Sequence, residues 1–557
     1  MILLQEKKSE KLPQLTSIFI SFNYNKDIVE AVKNIGDAIY DKKNRYWEIP
    51  VSKLHIAIDK LSKFDDLQLD SLDEVEENNT VYELDNFKTT PFPYQIEAIQ
   101  YALNHNKFML LDGMGLGKSL QSIYAAQEIK KYYNIEHCLV ICGVNTLKSN
   151  WKKEINLHSD LDCVILGEKK TKSGKEVIGS VQERLEHLKN PIKEFFVITN
   201  IETLRNDDIV KEINKDKANK FDMIIFDEMH KAKSNSSQQG KNLLKLKNAK
   251  FKIGLTGTLL LNSPFDCFVP LSWLDVIHCS KTNFEHFYGQ FGGVFNNDLL
   301  GYRNIESLKD ILETCSLRRT KDILELPPKT IINEYVELND DQKSFYENLK
   351  KGIKEQVDKV ELNTSTLLGM VTRFRQATAC PSILTTESIS SSKLERAQDL
   401  TEQIIAQGDK VVIFSTFKES LTPLYKSLEK YNPVLCTGDT KDFDINNNIN
   451  SFMQDSDTKV MLCTWQKMGT GVTLTAASYA IFLDIPWTQA LYEQAQDRIY
   501  RIGTNRKVFI YNLICKDTID ERVLEIVNSK KAIADFIIDN TVSDDGLAIL
   551  RQYIKDL

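Results

Sequence analysis

Short apolar runs alternate with helical patterns between residues 108 and 256. The runs occupy residues 108–111, 139–142, 195–200, 223–226 and 253–255. Runs of this length, rich in Val, Ile, Leu and Phe, are typical of strands that are buried on both faces of a parallel sheet. Polar residues follow where the runs end, as expected for a sheet that binds ligands at the carboxyl ends of its strands. The pattern therefore predicts an α/β lobe.

A second set of apolar runs begins near residue 410. Its members occupy residues 410–414, 459–462, 479–483 and 508–511. Between the two sets, residues 265–396 are helical and irregular, with long amphipathic segments from residue 340 to 362. We therefore expect two parallel-sheet lobes with helical insertions, and two lobes imply a cleft.

The N-terminal region has a different pattern. It predicts strands at residues 18–22, 38–40 and 46–49, a helix at 26–35, and a second helix that begins at Ser52 and ends at Leu61. These elements form a small α+β module. The acidic segment that follows, residues 65–79, predicts an extended linker because its like charges repel one another.

Composition places the chain among ordinary globular proteins. It has 557 residues, 42% hydrophobic and 27% charged, which is enough for three or four domains. Its ten cysteines are scattered without a C-x-x-C pair, so disulfide frameworks and zinc sites are disfavoured. Its net charge of −7 gives no signature for nucleic acid, although a binding groove needs only a local basic lining.

No apolar run approaches the roughly 20 residues needed to span a bilayer, and the N-terminus has no signal-peptide core. We therefore expect a cytoplasmic protein with no membrane association. Its Lys- and Asn-rich composition favours a bacterial source or a bacteriophage-infected host cell.

Residues 108–119 combine an apolar run, a glycine-rich turn and the start of a helical pattern. This order predicts a strand, a phosphate-binding loop and a helix. Lys118 would reach the outer phosphates, and the Ser119 hydroxyl can hold a magnesium ion. Asp112 occupies the first glycine position of the usual G-x-x-x-x-G-K-[ST] pattern, so a chance glycine-rich turn stays an alternative.

The run at residues 223–226 leads into two carboxylates. Asp227 would hold magnesium through water, and Glu228 would orient or deprotonate the attacking water. Acidic pairs are also common on surfaces, but this pair follows the glycine-rich loop in the order that a phosphate-loop enzyme needs.

Two arginines in the second lobe lie three residues apart. Arg498 and Arg501 therefore share one helix face and can both reach into a cleft. As arginine fingers they would stabilise charge on a γ-phosphate. The alternative is a surface helix with ordinary salt bridges.

With these motifs in place, residues 91 to 523 resemble the Swi/Snf-type DNA translocases, which are helicase-like ATPases with two RecA-like lobes. The resemblance rests on the ordered motifs at residues 94–95, 112–119, 227–230, 256–258, 316–321, 326–329, 413–417 and 469–503. Asp112 is the family's own variant of the first glycine. The departures from the family pattern are Phe92, Gly113, Leu259, Leu261 and Thr504. None removes a catalytic group, but the two leucines leave the coupling of the lobes open.

The resemblance implies ATP and Mg²⁺ as cofactors and assigns residues to them. The catalytic group comprises Lys118, Asp227, Glu228, Arg498 and Arg501, and the metal is assigned to Ser119 and Asp227. The nucleotide contacts are Tyr94, Gln95, Asp112, Gly113, Met114, Gly115, Leu116, Gly117, Lys118, Ser119, Gly471 and Gln494. The nucleic-acid contacts carried over by motif are Asn145, Lys148, Thr199, Asn200, Ser415, Thr416, Thr464 and Thr473.

The N-terminal module is similar to the HepA-related module that precedes the motor in annealing helicases and fork-remodelling enzymes. This short match adds Lys42, Lys43, Arg45 and Trp47 as candidate DNA contacts. The alternative is a solvated basic turn with Trp47 in the core.

We therefore expect an ATP-dependent double-stranded DNA translocase that anneals or remodels forks and other branched DNA. The expected partners are double-stranded and branched DNA, with replication or recombination proteins as further candidates, and the protein is expected to be a monomer. Two rivals are a remodeller that displaces protein, such as RNA polymerase, from DNA, and a strand-separating or RNA helicase. The expected regions are an accessory module (1–64), a linker (65–80), lobe 1 (81–264), a helical insertion and inter-lobe linker (265–395), lobe 2 (396–530) and a helical tail (531–557).

Overall fold

The computed structural model divides the chain into two units, one of Met1–Asp112 with Lys118–Arg319 and one of Gly113–Gly117 with Thr320–Leu557. The described residues are 2–7, 17–64, 67–70, 80–85, 87–143, 147–171, 176–215, 218–232, 237–257, 263–292, 298–324, 326–357, 364–465, 473–487, 489–528, 549 and 552–554. Among them, no helix combines the length and the apolar character that crossing a membrane requires.

A five-stranded sheet and two helices form the N-terminal module. Along the chain its elements are β1 (Ile2–Lys7), β2 (Ser17–Phe22), α1 (Lys26–Lys33), β3 (Ile39–Asp41), β4 (Tyr46–Pro50), α2 (Leu54–Leu61) and β5 (Leu67–Asp70). The strand order is β3-β4-β2-β1-β5, and all neighbours are antiparallel except β1 and β5. Ile18, Ile20 and Ile49 pack with Ile28 and Val32 of α1 in one core. The strands and helices predicted within residues 18–64 are confirmed, but α2 begins at Leu54 with Lys53 as its N-cap, so the prediction that Ser52 caps this helix is wrong.

The outer strand β5 lies inside the predicted linker. Leu67 and Leu69 pair in parallel register with Ile2 and Leu4 of β1. The prediction that the linker begins at residue 65 is therefore wrong for residues 67–70. The surrounding segment is acidic, so its composition indicated a linker. Its two alternating leucines are nevertheless enough for a short strand once β1 provides a partner.

The first unit contains a seven-stranded parallel sheet. Its further elements are α3 (Pro93–Asn104), β6 (Lys107–Leu110), α4 (Lys118–Tyr133), β7 (His137–Cys142), α5 (Leu147–His158), β8 (Cys163–Ile165), β9 (Glu168–Lys170), β10 (Glu176–Ile178), α6 (Val181–Lys189), β11 (Phe196–Asn200), α7 (Asp207–Ile213), β12 (Phe221–Asp227), α8 (Gln238–Leu243), β13 (Phe251–Leu255), α9 (Phe268–Trp273), α10 (Lys281–Tyr288), β14 (Gly289–Gly292), β15 (Asp298–Tyr302), α11 (Ile305–Thr314) and β16 (Ser316–Leu317). The strand order is β16-β6-β13-β12-β7-β11-β8, and β9/β10 and β14/β15 form separate antiparallel pairs.

Both faces of this sheet are buried. On β7, Leu139 and Ile141 belong to one hydrophobic cluster, whereas Cys138 and Val140 belong to another. Successive side chains of a strand point to opposite faces, so a strand covered on both sides is a continuous apolar run. The parallel sheet predicted from these runs is confirmed.

The second unit contains a six-stranded parallel sheet. Its elements are β17 (Lys329–Val336), α12 (Asp340–Val357), α13 (Thr364–Ala379), α14 (Ser392–Ala406), β18 (Val411–Ser415), α15 (Lys418–Ser427), β19 (Val434–Cys436), α16 (Asp442–Gln454), β20 (Val460–Thr464), β21 (Tyr479–Phe482), α17 (Gln489–Ile499), β22 (Val508–Cys515) and α18 (Ile519–Asn528). The strand order is β17-β22-β21-β18-β20-β19. The second predicted sheet is therefore confirmed.

The first strand of this sheet lies outside the predicted lobe. β17 pairs with β22 from Lys329 opposite Val508 onward, although lobe 2 was expected to begin at residue 396. One face of this edge strand is exposed at Ile331 and Tyr335. A half-exposed strand alternates apolar and polar residues instead of forming an apolar run, so the pattern used for buried strands missed it.

Candidate functional site

The glycine-rich loop lies between the end of β6 and the start of α4. Gly115 and Gly117 have φ values of +84° and +77°, a conformation that side chains with a Cβ rarely adopt. The Lys118 ammonium donates to the backbone carbonyl of Asp112 at 2.8 Å. The loop therefore has the turn that the glycines predicted, and the Lys118 side chain folds back to the residue at which the loop starts.

A bidentate ion pair explains the aspartate at the first glycine position. Asp112 is fully buried, and Arg319 donates Nε to its Oδ1 at 3.0 Å and Nη2 to its Oδ2 at 2.9 Å. Gln121 on α4 donates to the same Oδ2 at 3.0 Å. A buried charge is stable when it is paired and hydrogen-bonded, so Asp112 fixes the start of the loop.

The same arginine reaches the predicted nucleotide contacts on α3. Arg319 donates to the backbone carbonyl of Tyr94, and its guanidinium carbon lies 5.2 Å from the centre of the Tyr94 ring. Burial and the charge of Asp112 raise the pKa of Tyr94 to about 12. Gln95 is also buried, and its Oε1 accepts the Phe92 backbone N–H at 2.9 Å. The Gln95 oxygen therefore holds the first turn of α3.

The strand β12 brings Asp227 to the carboxyl edge of the sheet. The Asp227 Oδ2 accepts the indole N–H of Trp151 at 2.9 Å, and its Oδ1 accepts the backbone N–H of Glu228 at 2.9 Å. Burial, and then the neighbouring Glu228, raise the pKa of Asp227 to about 6, although Trp151 and Lys118 act in the opposite direction. The negative charge at this edge is therefore incompletely compensated, as expected of a carboxylate that binds a cation.

Glu228 has a left-handed backbone conformation with φ of +53°. A Cβ at Gly143, directly after β7, would lie 2.5 Å from the Glu228 Cβ. Non-glycine residues in this conformation cost free energy and cluster at functional sites. Glu228 is thus held in a conformation that only a glycine at position 143 accommodates.

His230 connects this strand end to the next one. Its Nδ1 lies 3.3 Å from Glu228 Oε2 and 3.1 Å from Thr256 Oγ1, just after β13. The predicted motifs at residues 227–230 and 256–258 are therefore in contact. Of the second motif, Thr258 and the unusual Leu259 and Leu261 lie outside the described residues.

In the second unit, the helix α17 is packed into the protein. Arg498 is 3% exposed, so the alternative of an exposed salt-bridged helix is wrong for this arginine. Its neighbour Asp497 forms an ion pair with Lys321 at 2.5 Å. Burial raises the pKa of Asp497 against the opposing charge of Lys321.

The prediction that Arg498 and Arg501 share one helix face is wrong, because α17 ends at Ile499 and Arg501 lies in the turn after it. The Arg501 backbone N–H donates to Thr504 Oγ1 at 3.2 Å, and that hydroxyl donates to the Ile499 carbonyl at 2.8 Å. Thr504, which departs from the family pattern, therefore closes the turn that presents Arg501. Gln494 is half-buried on α17, and Gly471 lies outside the described residues.

Of the eight nucleic-acid contacts carried over by motif, five are buried. Side-chain burial is shared by five of them: Lys148, Thr199, Asn200, Ser415 and Thr464. Their role as DNA contacts stays a prediction, and it requires these side chains to become exposed when DNA binds. Thr416 and Thr473 are half-buried, and Asn145 lies outside the described residues.

Burial changes the pKa of Lys148, and it places Ser415 in hydrogen-bonding contact with a buried carboxylate. Burial, and then the charge of Arg184, lower the pKa of Lys148 to about 8. The Ser415 hydroxyl donates to the buried Asp484 at 2.5 Å, and the Thr416 backbone N–H donates to the same carboxylate at 3.0 Å. Ser415 therefore holds the end of β18 in place.

The basic turn of the N-terminal module is exposed. Lys42, Lys43 and Arg45 lie at the surface between β3 and β4. Trp47 is half-buried and pairs across the strands with Tyr40, with ring centres 5.0 Å apart; Tyr40 is 44% exposed. Trp47 thus packs on the core with one side and on an exposed ring with the other.

Two family models match the chain between residues 94 and 503. The SNF2-related domain matches residues 94–383, and the helicase conserved C-terminal domain matches residues 392–503. The chain belongs to the SNF2-related family of helicase-like ATPases. Its two parallel-sheet lobes are therefore RecA-like, and the predicted use of ATP is confirmed at the level of the family.

Individual relatives have low sequence identity to this chain. An uncharacterized ATP-dependent helicase of Mycoplasma genitalium is 28% identical over 87% of this chain and 46% of its own length. The DNA annealing helicase and endonuclease ZRANB3 of Mus musculus is 27% identical over 81% of this chain and 41% of its own. The chain thus spans about half the length of these curated relatives. A solved SWI2/SNF2 ATPase core of Sulfolobus solfataricus, in complex with dsDNA, is 24% identical over 86% of this chain and 98% of its own, with a TM-score of 0.38.

The motifs assign no role to four residues that hold the site: Gly143 and Trp151 lie outside them, whereas Arg319 and Asp484 lie within residues 316–321 and 469–503. Each contacts a predicted site residue through the folded chain. Outside the motifs, Gly143 carried a local signal, because a glycine directly after a buried strand marks a close approach of another chain segment.

Proposed function

We propose that this SNF2-family ATPase is a double-stranded DNA translocase that anneals or remodels branched DNA. ATP binding closes its cleft and hydrolysis reopens it, so that each cycle shifts one lobe along the phosphate backbone. Contacts to that backbone dominate affinity, which therefore falls steeply with salt. The relatives from Mycoplasma support a bacterial source.

The ATP-binding residues have separate roles in this proposal. Lys118 binds the outer phosphates, and Glu228 orients and deprotonates the attacking water. Arg498 and Arg501 stabilise charge on the γ-phosphate when the cleft closes. Tyr94, which shares the partner Arg319 with Asp112, contacts the base.

The chemistry of Asp227 and Ser119 fits a magnesium ion. Asp227 is a carboxylate with an incompletely compensated charge, and Ser119 follows Lys118 at the start of α4 with a partly exposed side chain. Magnesium prefers oxygen ligands and one or two carboxylates beside the substrate phosphates. When bound, the ion would neutralise charge on those phosphates, and the two residues would hold it there.

The preference for branched DNA rests on the surface formed by Tyr40, Trp47 and the basic turn. Aromatic rings stack on unpaired bases with roughly 1–3 kcal/mol per base, and the adjacent cations can bind phosphates. A fork presents unpaired bases next to duplex phosphates, whereas plain duplex does not. The name of the mouse relative, an annealing helicase, supports the same assignment.

The test uses full-length variants of this surface. Replacing Lys42, Lys43 and Arg45 together by Ala should reduce binding to forked DNA and make its salt dependence shallower, by about one unit of slope for each phosphate that is no longer bound. Tyr40→Ala should reduce fork preference and annealing without changing the salt slope. Both variants should keep ATPase activity on plain duplex.

A matched control removes the same charge from the helical part of the module. Lys26, Lys33 and Lys63 are exposed on or next to the helices α1 and α2, and replacing these three by Ala should leave fork preference unchanged. Equal effects of the two triple variants would reduce the proposal to a general duplex translocase. ATPase activity that responds to RNA instead of duplex DNA would favour the helicase rival.

A further inference from the structure

Trp151 donates the one side-chain hydrogen bond described for the Asp227 carboxylate. Its indole N–H lies 2.9 Å from Asp227 Oδ2, and Trp151 is 1% exposed. The other oxygen, Oδ1, accepts the backbone N–H of Glu228. With one donor on each oxygen, the plane of the carboxylate is fixed, and each oxygen keeps a lone pair.

The indole is held rigidly by its helix. Trp151 lies one turn into α5, and it packs in one cluster with Leu147 and Ile155 of that helix and Ile225 of β12. Strand and helix therefore position both partners of the hydrogen bond from opposite sides. A ring fixed in this way imposes its geometry on the carboxylate and does not follow it.

We propose that Trp151 is a positioning residue that aims Asp227 at the divalent cation of a bound nucleoside triphosphate. The inference rests on the proposed role of Asp227 as a metal ligand. Residues that hydrogen-bond to metal-binding carboxylates fix their orientation, and their loss weakens metal affinity or activity roughly 10- to 100-fold. Without the indole N–H, the carboxylate rotates and a water molecule competes for Oδ2.

The experiment removes the N–H and keeps the aromatic ring. Trp151→Phe should weaken the binding of Mn²⁺, measured by electron paramagnetic resonance with a non-hydrolysable ATP analogue, by about 10-fold or more. The Mg²⁺ concentration for half-maximal ATPase activity should rise by a similar factor. Binding of the analogue without metal should not change, because the hydrogen bond that is lost is the one to Asp227, the proposed metal ligand.

The chain provides a matched control in Trp273. This tryptophan is also 1% exposed and lies in the same unit against Phe226, the residue before Asp227. Its indole N–H has no hydrogen-bond partner among the described residues. Trp273→Phe should therefore change packing to a similar extent and leave Mn²⁺ affinity intact.

The outcomes separate this inference from the proposed function. If Asp227→Asn leaves Mn²⁺ affinity intact, Asp227 is not a metal ligand, and both its proposed role and this inference fail. If Asp227→Asn weakens binding but Trp151→Phe behaves like Trp273→Phe, only the inference is overturned. If Trp151→Phe does not fold, benzothienylalanine at position 151, which keeps the ring shape without the N–H, takes its place with the same expected results.

Discussion

Two aspartates at the carboxyl ends of interior strands meet different surroundings in the two sheets. Asp227, at the end of β12, accepts one side-chain hydrogen bond, and its pKa is raised to about 6 by burial and by Glu228. Asp484, just after β21, accepts hydrogen bonds from Ser415 and Thr416 and pairs with Arg375 at 3.3 Å. The Asp484 carboxylate is therefore hydrogen-bonded and ion-paired within its own unit, whereas the Asp227 carboxylate can still bind a ligand.

Two buried lysines, one in each unit, differ in the same way. The ammonium of Lys148, in the first unit, has a pKa lowered to about 8 by burial and by Arg184. In the second unit burial also opposes the charge of Lys393, but Asp520 at 2.5 Å outweighs it and raises the pKa. At these positions, therefore, Asp227 and Lys148 of the first unit keep incompletely compensated charge, whereas Asp484 and Lys393 of the second unit are paired.

The largest expected effect concerns Glu228, which follows Asp227 at the carboxyl edge of the first sheet. Glu228→Gln should reduce ATP hydrolysis about 10²- to 10⁴-fold, since it removes the base that acts on water, and ATP should stay bound. Lys118→Ala should also abolish hydrolysis but weaken ATP binding, because Lys118 contacts the phosphates. Nucleotide binding and single-turnover hydrolysis separate the two. Near-normal turnover of Glu228→Gln would show that another group activates the water.

In the second sheet, replacing Asp484 should lower the stability of the fold. Asp484→Asn removes the carboxylate that pairs with the buried Arg375 and should lower the free energy of unfolding of the second unit by about 3–5 kcal/mol. Asp227→Asn should cause no such loss, because burial and Glu228 already disfavour the charge there. Denaturant unfolding of both variants checks the contrast, and equal losses would contradict it.

A smaller effect is expected at Gly143. The new Cβ in Gly143→Ala would lie 2.5 Å from the Glu228 Cβ and displace that side chain. A shift of about 1 Å at a catalytic group can cost roughly 10²-fold in rate. The turnover number should therefore fall with little change in ATP affinity. Gly369→Ala, where nothing lies within 4 Å of the added Cβ, is the control; similar turnover of both variants would refute the close approach.

The smallest effect concerns Lys148. Its pKa is lowered to about 8 in the folded protein, below the usual 10.4 of an unfolded chain, so protonation costs stability below about pH 8 and the cost disappears as the pH rises towards 10.4. Lys148→Met should stabilise the protein at pH 7 by up to about 3 kcal/mol. The difference between variant and wild type, from unfolding curves at several pH values, should shrink as the pH rises. A constant difference would mean that Lys148 is compensated in the folded state.

The sequence by itself determined the two parallel sheets, the phosphate loop and the order of the ATP motifs. Continuous apolar runs and motif spacing are local features, and a strand that is buried on both faces is apolar along its whole length. The same reasoning missed β5 and β17, because a short or half-exposed strand depends on a partner from elsewhere in the chain.

Only the tertiary structure decided which groups meet at the site. Arg319 pairs with Asp112 across 207 positions, and Trp151 binds Asp227 across 76. No local pattern records such partners, because a hydrogen bond depends on which segments the fold brings together. The same fold buried five residues predicted to contact DNA: their motifs specify side-chain types and order, but exposure depends on everything packed around them.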